Sequence, residues 1–152
     1  MGKVLYLVGS LRNPRIPELA KYLRKEFATL GEEVEVFDDW FAAGEFADDS
    51  WKEYEVSRGH TYEEALRGYA ARHVFEFDKS HLDRATHVLL VLPAGKSGHM
   101  EITYAKYGAN AKAAILLDPD DDPRFDVMYQ FVDRVFERDE QVIDWVKRGE
   151  SE

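Results

Sequence analysis

The chain contains no cysteine. Disulfides, zinc–thiolate centres and cysteine nucleophiles are therefore excluded, and a reducing compartment suits it. Basic side chains are scarce relative to acidic ones: 20 lysines and arginines stand against 30 aspartates and glutamates, a formal net charge of −10. Such a balance repels a polyanion, so duplex nucleic acid is not an expected partner, although a local field still suits a small anion. Long apolar runs are missing too. The N-terminal "VLYLV" is too short for a signal peptide or a membrane span, and Tyr6 stands where a myristoylation signal wants Ser or Thr. The histidines show no H-E-x-x-H or similar ligand spacing, and "DPDDD" at 118–122 lacks the glycine and terminal glutamate of a calcium loop. No metal, cofactor or membrane is expected, and the compartment expected is the cytoplasm. With 152 residues, 45% of them hydrophobic, one domain over 1–148 with a disordered tail at 149–152 is expected.

What is present alternates between strand and helix patterns. "KVLYLVG" (3–9) is a continuous apolar run ending in glycine, as a buried parallel strand requires. Leu19, Tyr22, Leu23, Phe27 and Leu30 then recur at helical spacing, with Pro17 suited to a first turn and Gly31 to a stop. "EVEVF" (33–37) reads as a second strand, "THVLLVLP" as a third, "KAAILLD" as a fourth and "DRVFE" as a fifth. "TYEE" at 61–64 is a capping box that opens a helix toward Phe75 or Arg84. "HMEITYAKYGA" reads as a helix, "DVMYQF" as a short one, and "DEQVIDWVKRG" as a C-terminal helix capped by Asp139. Residues 38–60 form a long acidic and aromatic connection. The pattern predicts a three-layer α/β sandwich around a five-stranded parallel sheet in flavodoxin-like order, with ligands at the carboxyl ends of the strands.

Two loops leave those ends. "GSLRN" offers Gly9 and Ser10, the donors of Arg12, the amide of Asn13 and backbone N–H groups for an anion. "PAGKSGHME" offers Lys96 and Ser97 beside Gly98 and His99 at a helix start. It is not a P-loop: the glycine required five residues before Gly95 is Leu90, and no G-x-G-x-x-G is present. Glu101 is expected in the first turn of that helix, where the macrodipole favours a carboxylate for purely structural reasons and would keep it ionised. Asp78 precedes the third strand by a helix end and a short loop. Two carboxylates around one crevice are the equipment of glycosidic cleavage, one at the anomeric carbon and one at the leaving group. The aromatics Trp40, Phe41, Phe46, Trp51 and Tyr54 could stack a base or simply tie the long connection down.

The segments "YLVGSLRNPR" (6–15), Asp78-x-x-x-Leu82-x-x-Ala85, "VLLVLPAGKSGHMEITYA" (88–105) and "KAAILLDP" (112–119) resemble, in order, the nucleoside 2-deoxyribosyltransferase superfamily, which includes the 2'-deoxynucleoside 5'-phosphate N-hydrolases. The resemblance spans Lys3 to Pro119. It implies that Glu101 attacks C1' of the sugar, that Asp78 assists at the base, and that Tyr6 orients the glutamate. It also implies that Ser10, Arg12 and Ser97 face a phosphate, and that the chain forms homodimers or larger homo-oligomers. Where free-nucleoside transferases carry an aspartate six residues before the glutamate, this chain has Gly95, which favours a 5'-monophosphate. The expected function is cleavage or transfer at the N-glycosidic bond of nucleosides or their 5'-monophosphates through a glycosyl-enzyme. The alternatives are a non-catalytic nucleotide sensor or interaction module and a flavodoxin-like electron carrier.

Overall fold

Alternation along β1 (Lys3–Gly9) sends Leu5 and Leu7 to one face of a sheet and Tyr6 and Val8 to the other. The computed structural model, which describes residues 2–38, 47–120 and 126–148, continues with α1 (Arg15–Thr29), β2 (Val34–Phe37), α2 (Ala47–Ser57), α3 (Tyr62–Leu66) and α4 (Tyr69–Arg84). β3 (His87–Val91), α5 (Lys96–Tyr107), β4 (Lys112–Leu116), a 3-10 turn at Val127–Phe131, β5 (Arg134–Phe136) and α6 (Asp139–Lys147) follow. The sheet is wholly parallel in the order β2-β1-β3-β4-β5, so the flavodoxin-like expectation is met. α1 and α6 cover the Leu5/Leu7 face, and α4 and α5 the Tyr6/Val8 face.

α1 buries Ile16, Leu19, Ala20, Leu23 and Phe27, an i, i+3, i+4 stripe. It stops at Gly31 (φ 71°): Glu32 N–H donates to the Phe27 carbonyl and Gly31 N–H to that of Ala28, a Schellman closure in which only glycine takes the left-handed turn without strain. Four boundaries differ from the sequence pattern. The connection after β2 contains helix α2. The Thr61 capping box forms, but its helix ends at Leu66, because Gly68 turns extended and caps a separate α4. α5 begins at Lys96, with Gly95 as its cap, so Lys96 and Ser97 belong to its first turn. Arg138, rather than Asp139, occupies the cap of α6. The C-terminal tail at 149–152 lies outside the described residues.

The ends of β1 and β3 are pressed together by missing side chains. A Cβ on Gly98 would lie 2.7 Å from Leu90 Cδ1, 3.2 Å from Ala94 Cβ and 3.5 Å from Gly9 Cα. A Cβ on Gly9 would meet the Val91 carbonyl oxygen at 2.8 Å. Both glycines, expected at a binding loop, are required by close packing: Gly98 by the approach of α5 to the sheet, and Gly9 by Val91 of β3 and Ile16 of α1. Gly95, by contrast, faces open space.

His87 opens β3 and is buried against the edge of Trp145. Thr86 Oγ1 gives its proton to the Val4 carbonyl, so the His87 Nδ1–H donates to Thr86 Oγ1 (2.9 Å). Nε2 is then a bare acceptor with no hydrogen-bond partner among the described residues. Burial, then Lys112 and Lys3, push the imidazole down to about 4, opposed by Asp133.

Two outcomes are expected from these contacts. Gly98→Ala should lower the urea midpoint by the equivalent of about 1–3 kcal/mol, since Leu90 is fully buried and has no room to yield, while Gly95→Ala should be neutral or stabilising; equal midpoints would contradict the packing argument. The second concerns pH. Below about 6.5 the unfolded His87 binds a proton that the folded one refuses until about 4, so the His87 contribution to stability should fall as pH drops through that window, by up to about 3 kcal/mol, against the opposite trend from Glu101. Between pH 7 and 5 the wild type should lose stability relative to His87→Phe, and equal changes in the two proteins would exonerate His87.

Candidate active site

Tyr6, Asp78 and Glu101 converge from three elements on the α4/α5 side of the sheet. Asp78, Leu82 and Ala85 share one face by their i, i+4, i+7 spacing, and the burial of Leu82 and Ala85 sets Asp78 over β1. The Tyr6 hydroxyl donates to Asp78 Oδ1 at 2.5 Å. On α5, buried Ile102 and Ala105 turn the neighbouring Glu101 toward the same point, where the Asp78 carboxyl acts on it.

Neighbouring buried carboxyls resist ionising together. Burial first, and the Asp78 carboxylate second, raise Glu101 well above the ordinary carboxyl range, so it keeps its proton at neutral pH. Burial, then Asp78 and Glu101, raise Tyr6 as well, which keeps the phenol a donor. Two expectations are corrected. Glu101 lies in the second turn of α5, beyond the reach of the helix terminus, and burial with a neighbouring carboxylate overrides any macrodipole that would ionise it. Tyr6 holds Asp78 rather than Glu101.

The remaining predicted residues gather above this set, at the carboxyl ends of β1 and β3. Ser10 Oγ accepts from the Arg12 backbone N–H (3.2 Å), and the Arg12 guanidinium pairs with Asp49 of α2 (3.0 Å), a partner that spacing gave no reason to choose. Asn13 is buried and spends its side chain on the chain itself: Nδ2 reaches the carbonyls of Val91 and Pro93 at 3.4 and 3.5 Å, and Oδ1 accepts from Arg15 N–H. It ties the two loops together and is not open to a ligand. Lys96 and Ser97 are exposed on the first turn of α5, whose cap Gly95 supplies no side-chain acceptor. His99 Nδ1–H donates to the Gly95 carbonyl (2.8 Å), which leaves Nε2 to accept from the Tyr129 hydroxyl (2.9 Å). His99 therefore pins the helix start to the 3-10 turn.

Trp40, Phe41 and Phe46 lie outside the described residues. Trp51 packs edge-on to Tyr62, and Tyr54 is exposed beside Arg58, so both are used locally. A different ring cluster borders the carboxyls: His81 stacks on Phe37 at 3.9 Å, Phe77 meets His81 edge-on, and Tyr6 meets Phe37 edge-on. The signal for His81 was its position three residues after Asp78 on one helix. Among the described residues no group of three or more histidines and carboxylates could hold a metal, and no helix is long and apolar enough to cross a membrane.

No family model and no curated protein sequence matches the chain. Among solved structures, a 2-deoxyribosyltransferase from the psychrotolerant bacterium Bacillus psychrosaccharolyticus is similar to it in fold, with a TM-score of 0.55 and 13% identity, over 97% of this chain and 93% of that one.

Proposed function

We propose that this protein cleaves or transfers at the N-glycosidic bond of nucleosides, preferentially as their 5'-monophosphates, with Glu101 attacking C1' and Asp78 serving the departing base. The observation that carries the reading is the contact of Glu101 with Asp78, itself held by Tyr6, on a fold shared with a 2-deoxyribosyltransferase. Cleavage builds positive charge on the sugar, which a carboxylate stabilises and then captures as an ester; a 2'-hydroxyl withdraws electrons and opposes that charge, so deoxy substrates suit the site. Water then gives hydrolysis, and a second base gives transfer. The exposed ring of Phe77, edge-on to His81, suits a stacking surface for the base.

Six residues of helix separate Gly95 from Glu101, a rise of about 9 Å, in which one sugar-phosphate fits. The backbone N–H groups of Lys96, Ser97 and Gly98, with Ser10 and Arg12 opposite, suit the phosphate end. The Arg12–Asp49 pair is exposed on both sides, with side-chain accessibilities of 44% and 60%, so it opposes an incoming phosphate by at most about 1 kcal/mol. Self-association belongs to the same reading: Val74 and Phe75 of α4 and Met100 of α5 leave apolar surface exposed near the carboxyls. A non-catalytic nucleotide-binding module is the second reading, favoured by one observation: a protonated Glu101 is not yet a nucleophile.

Glu101→Ala should lower base release from deoxynucleoside monophosphates by about a thousandfold or more with the far-ultraviolet circular dichroism unchanged. Retention of a tenth of wild-type activity removes Glu101 from the role, and nucleotide binding by the wild type without any released base selects the sensor. A deoxynucleoside monophosphate should have a higher kcat/KM than the matching nucleoside. Arg12→Ala should cut the monophosphate value by about 10–100-fold, the equivalent of one charge-assisted contact, and leave the nucleoside nearly unchanged. Measured at low salt without free phosphate, a wild-type preference for the nucleoside would overturn the nucleotide reading.

A further inference from the structure

We propose that Asp49 is the resident anion of the phosphate end: in the free protein its carboxylate occupies Arg12, and an arriving phosphate takes the guanidinium and releases the first turn of α2, so that occupancy of the crevice is read out as the order of that helix. The inference rests on the phosphate end of the reading above and adds a competitor for the phosphate and an element that responds to it.

Helix α2 is weakly anchored. It is 11 residues long, short of the length at which an isolated helix is stable in water. A helix of that length is normally held by a buried apolar face. Here Tyr54 and Val56 are exposed, and among the described side chains of α2 only Glu55 is buried, with Trp51 half-buried. Glu55 meets His60 Nδ1 at 2.5 Å and Trp51 packs edge-on to Tyr62, so both fasten α2 to the start of α3 rather than to the sheet. Toward the sheet, the first turn is tied by Asp49 Oδ2, 3.0 Å from Arg12 Nη2 on the loop after β1. In that turn the Asp49 charge also supports the helix start.

One guanidinium then faces two anions. A phosphate monoester carries about −1.5 to −2 charge at pH 7 and outweighs a single carboxylate at a planar fork of donors. The Arg12–Asp49 pair is exposed on both sides, so it gives way readily. Left beside a bound phosphate, the Asp49 carboxylate would repel it; moved away, it takes the first turn of α2 with it. The coupling is reciprocal: the factor by which Asp49 weakens phosphate is the factor by which phosphate weakens the hold on α2. For an exposed ion pair that factor is at most about fivefold.

The test needs no turnover. With inorganic phosphate titrated at low salt in a chloride buffer, Asp49→Asn should bind it about three- to fivefold more tightly than the wild type, and Arg12→Ala should bind it about tenfold or more weakly. Glu33→Gln removes the same charge just before β2, at the amino ends of the strands, and should match the wild type. In the wild type, saturating phosphate should speed hydrogen exchange of the α2 amides by the same factor of about three to five. In Asp49→Asn those amides should already exchange faster and gain nothing from phosphate. Arg12-dependent binding that Asp49→Asn leaves unchanged, or that Glu33→Gln tightens as much, overturns the inference alone. So does unchanged or slower exchange of α2 in the phosphate-bound wild type, since the helix would then stay in place or close on the ligand. No Arg12-dependent phosphate binding in either the wild type or Asp49→Asn overturns the phosphate end of the reading, and the inference with it.

Discussion

The approach of α5 to the ends of β1 and β3 sets the position of everything that could do chemistry here. Gly98 lies so close to Leu90, Ala94 and Gly9 that no side chain fits, and Gly9 lies equally close to the Val91 carbonyl. Asn13 bridges the two loops across this contact, and Arg15 donates to the Leu117 carbonyl at 2.8 Å and pairs with Asp139 at 3.1 Å, drawing the end of β4 and the start of α6 into the same edge. With α5 fixed in this way, Ile102 and Ala105 sink into the core and Glu101 is carried to Asp78. A helix displaced by one methyl group at Gly98 would loosen that encounter, because interiors this dense transmit strain rather than absorb it.

The carboxyl pair is an electrostatic liability that the fold maintains. A buried glutamate that keeps its proton subtracts from stability at neutral pH, because the unfolded chain releases that proton freely. The aromatic shell of Phe37, His81 and Phe77, and the Tyr6 hydrogen bond, hold Asp78 where its charge acts on Glu101. Strongly shifted groups near the carboxyl ends of a parallel sheet make a candidate functional site. His87 contrasts with it: it too is shifted by burial, yet it stands at the opposite end of β3, packed on Trp145 and hydrogen-bonded to Thr86.

Local chemistry was readable wherever one residue type has one mechanism. Gly31 as the stop of α1 and the Thr61–Glu64 capping box are short-range devices, complete within six residues, and both form. The strand runs were legible because a parallel strand buried on both faces tolerates little but apolar residues. Helix α2 was not legible, because "ADDSWKEYEVS" has no strong apolar face to announce it, and Gly68 was missed as a break because a glycine inside a helical pattern often passes. Arg12 and Asn13 are neighbours in sequence with opposite fates. One reaches out to Asp49 and the other turns inward to the β3 end, a choice made by where the loop lies on the sheet.

The sequence by itself determined the alternating α/β architecture, the strand order to be expected of it, and Asp78 and Glu101 as residues to watch, because period, capping and motif spacing act along the chain; Tyr6 joined them through the family resemblance. Only the tertiary structure decided that Asp78 and Glu101 come together from two helices, that Tyr6 serves the aspartate, and that burial raises Glu101 toward its protonated form. The reason is physical. Charge state depends on burial and on carboxylates brought from another helix, and neither distance nor dielectric is written in the spacing of residues along one chain.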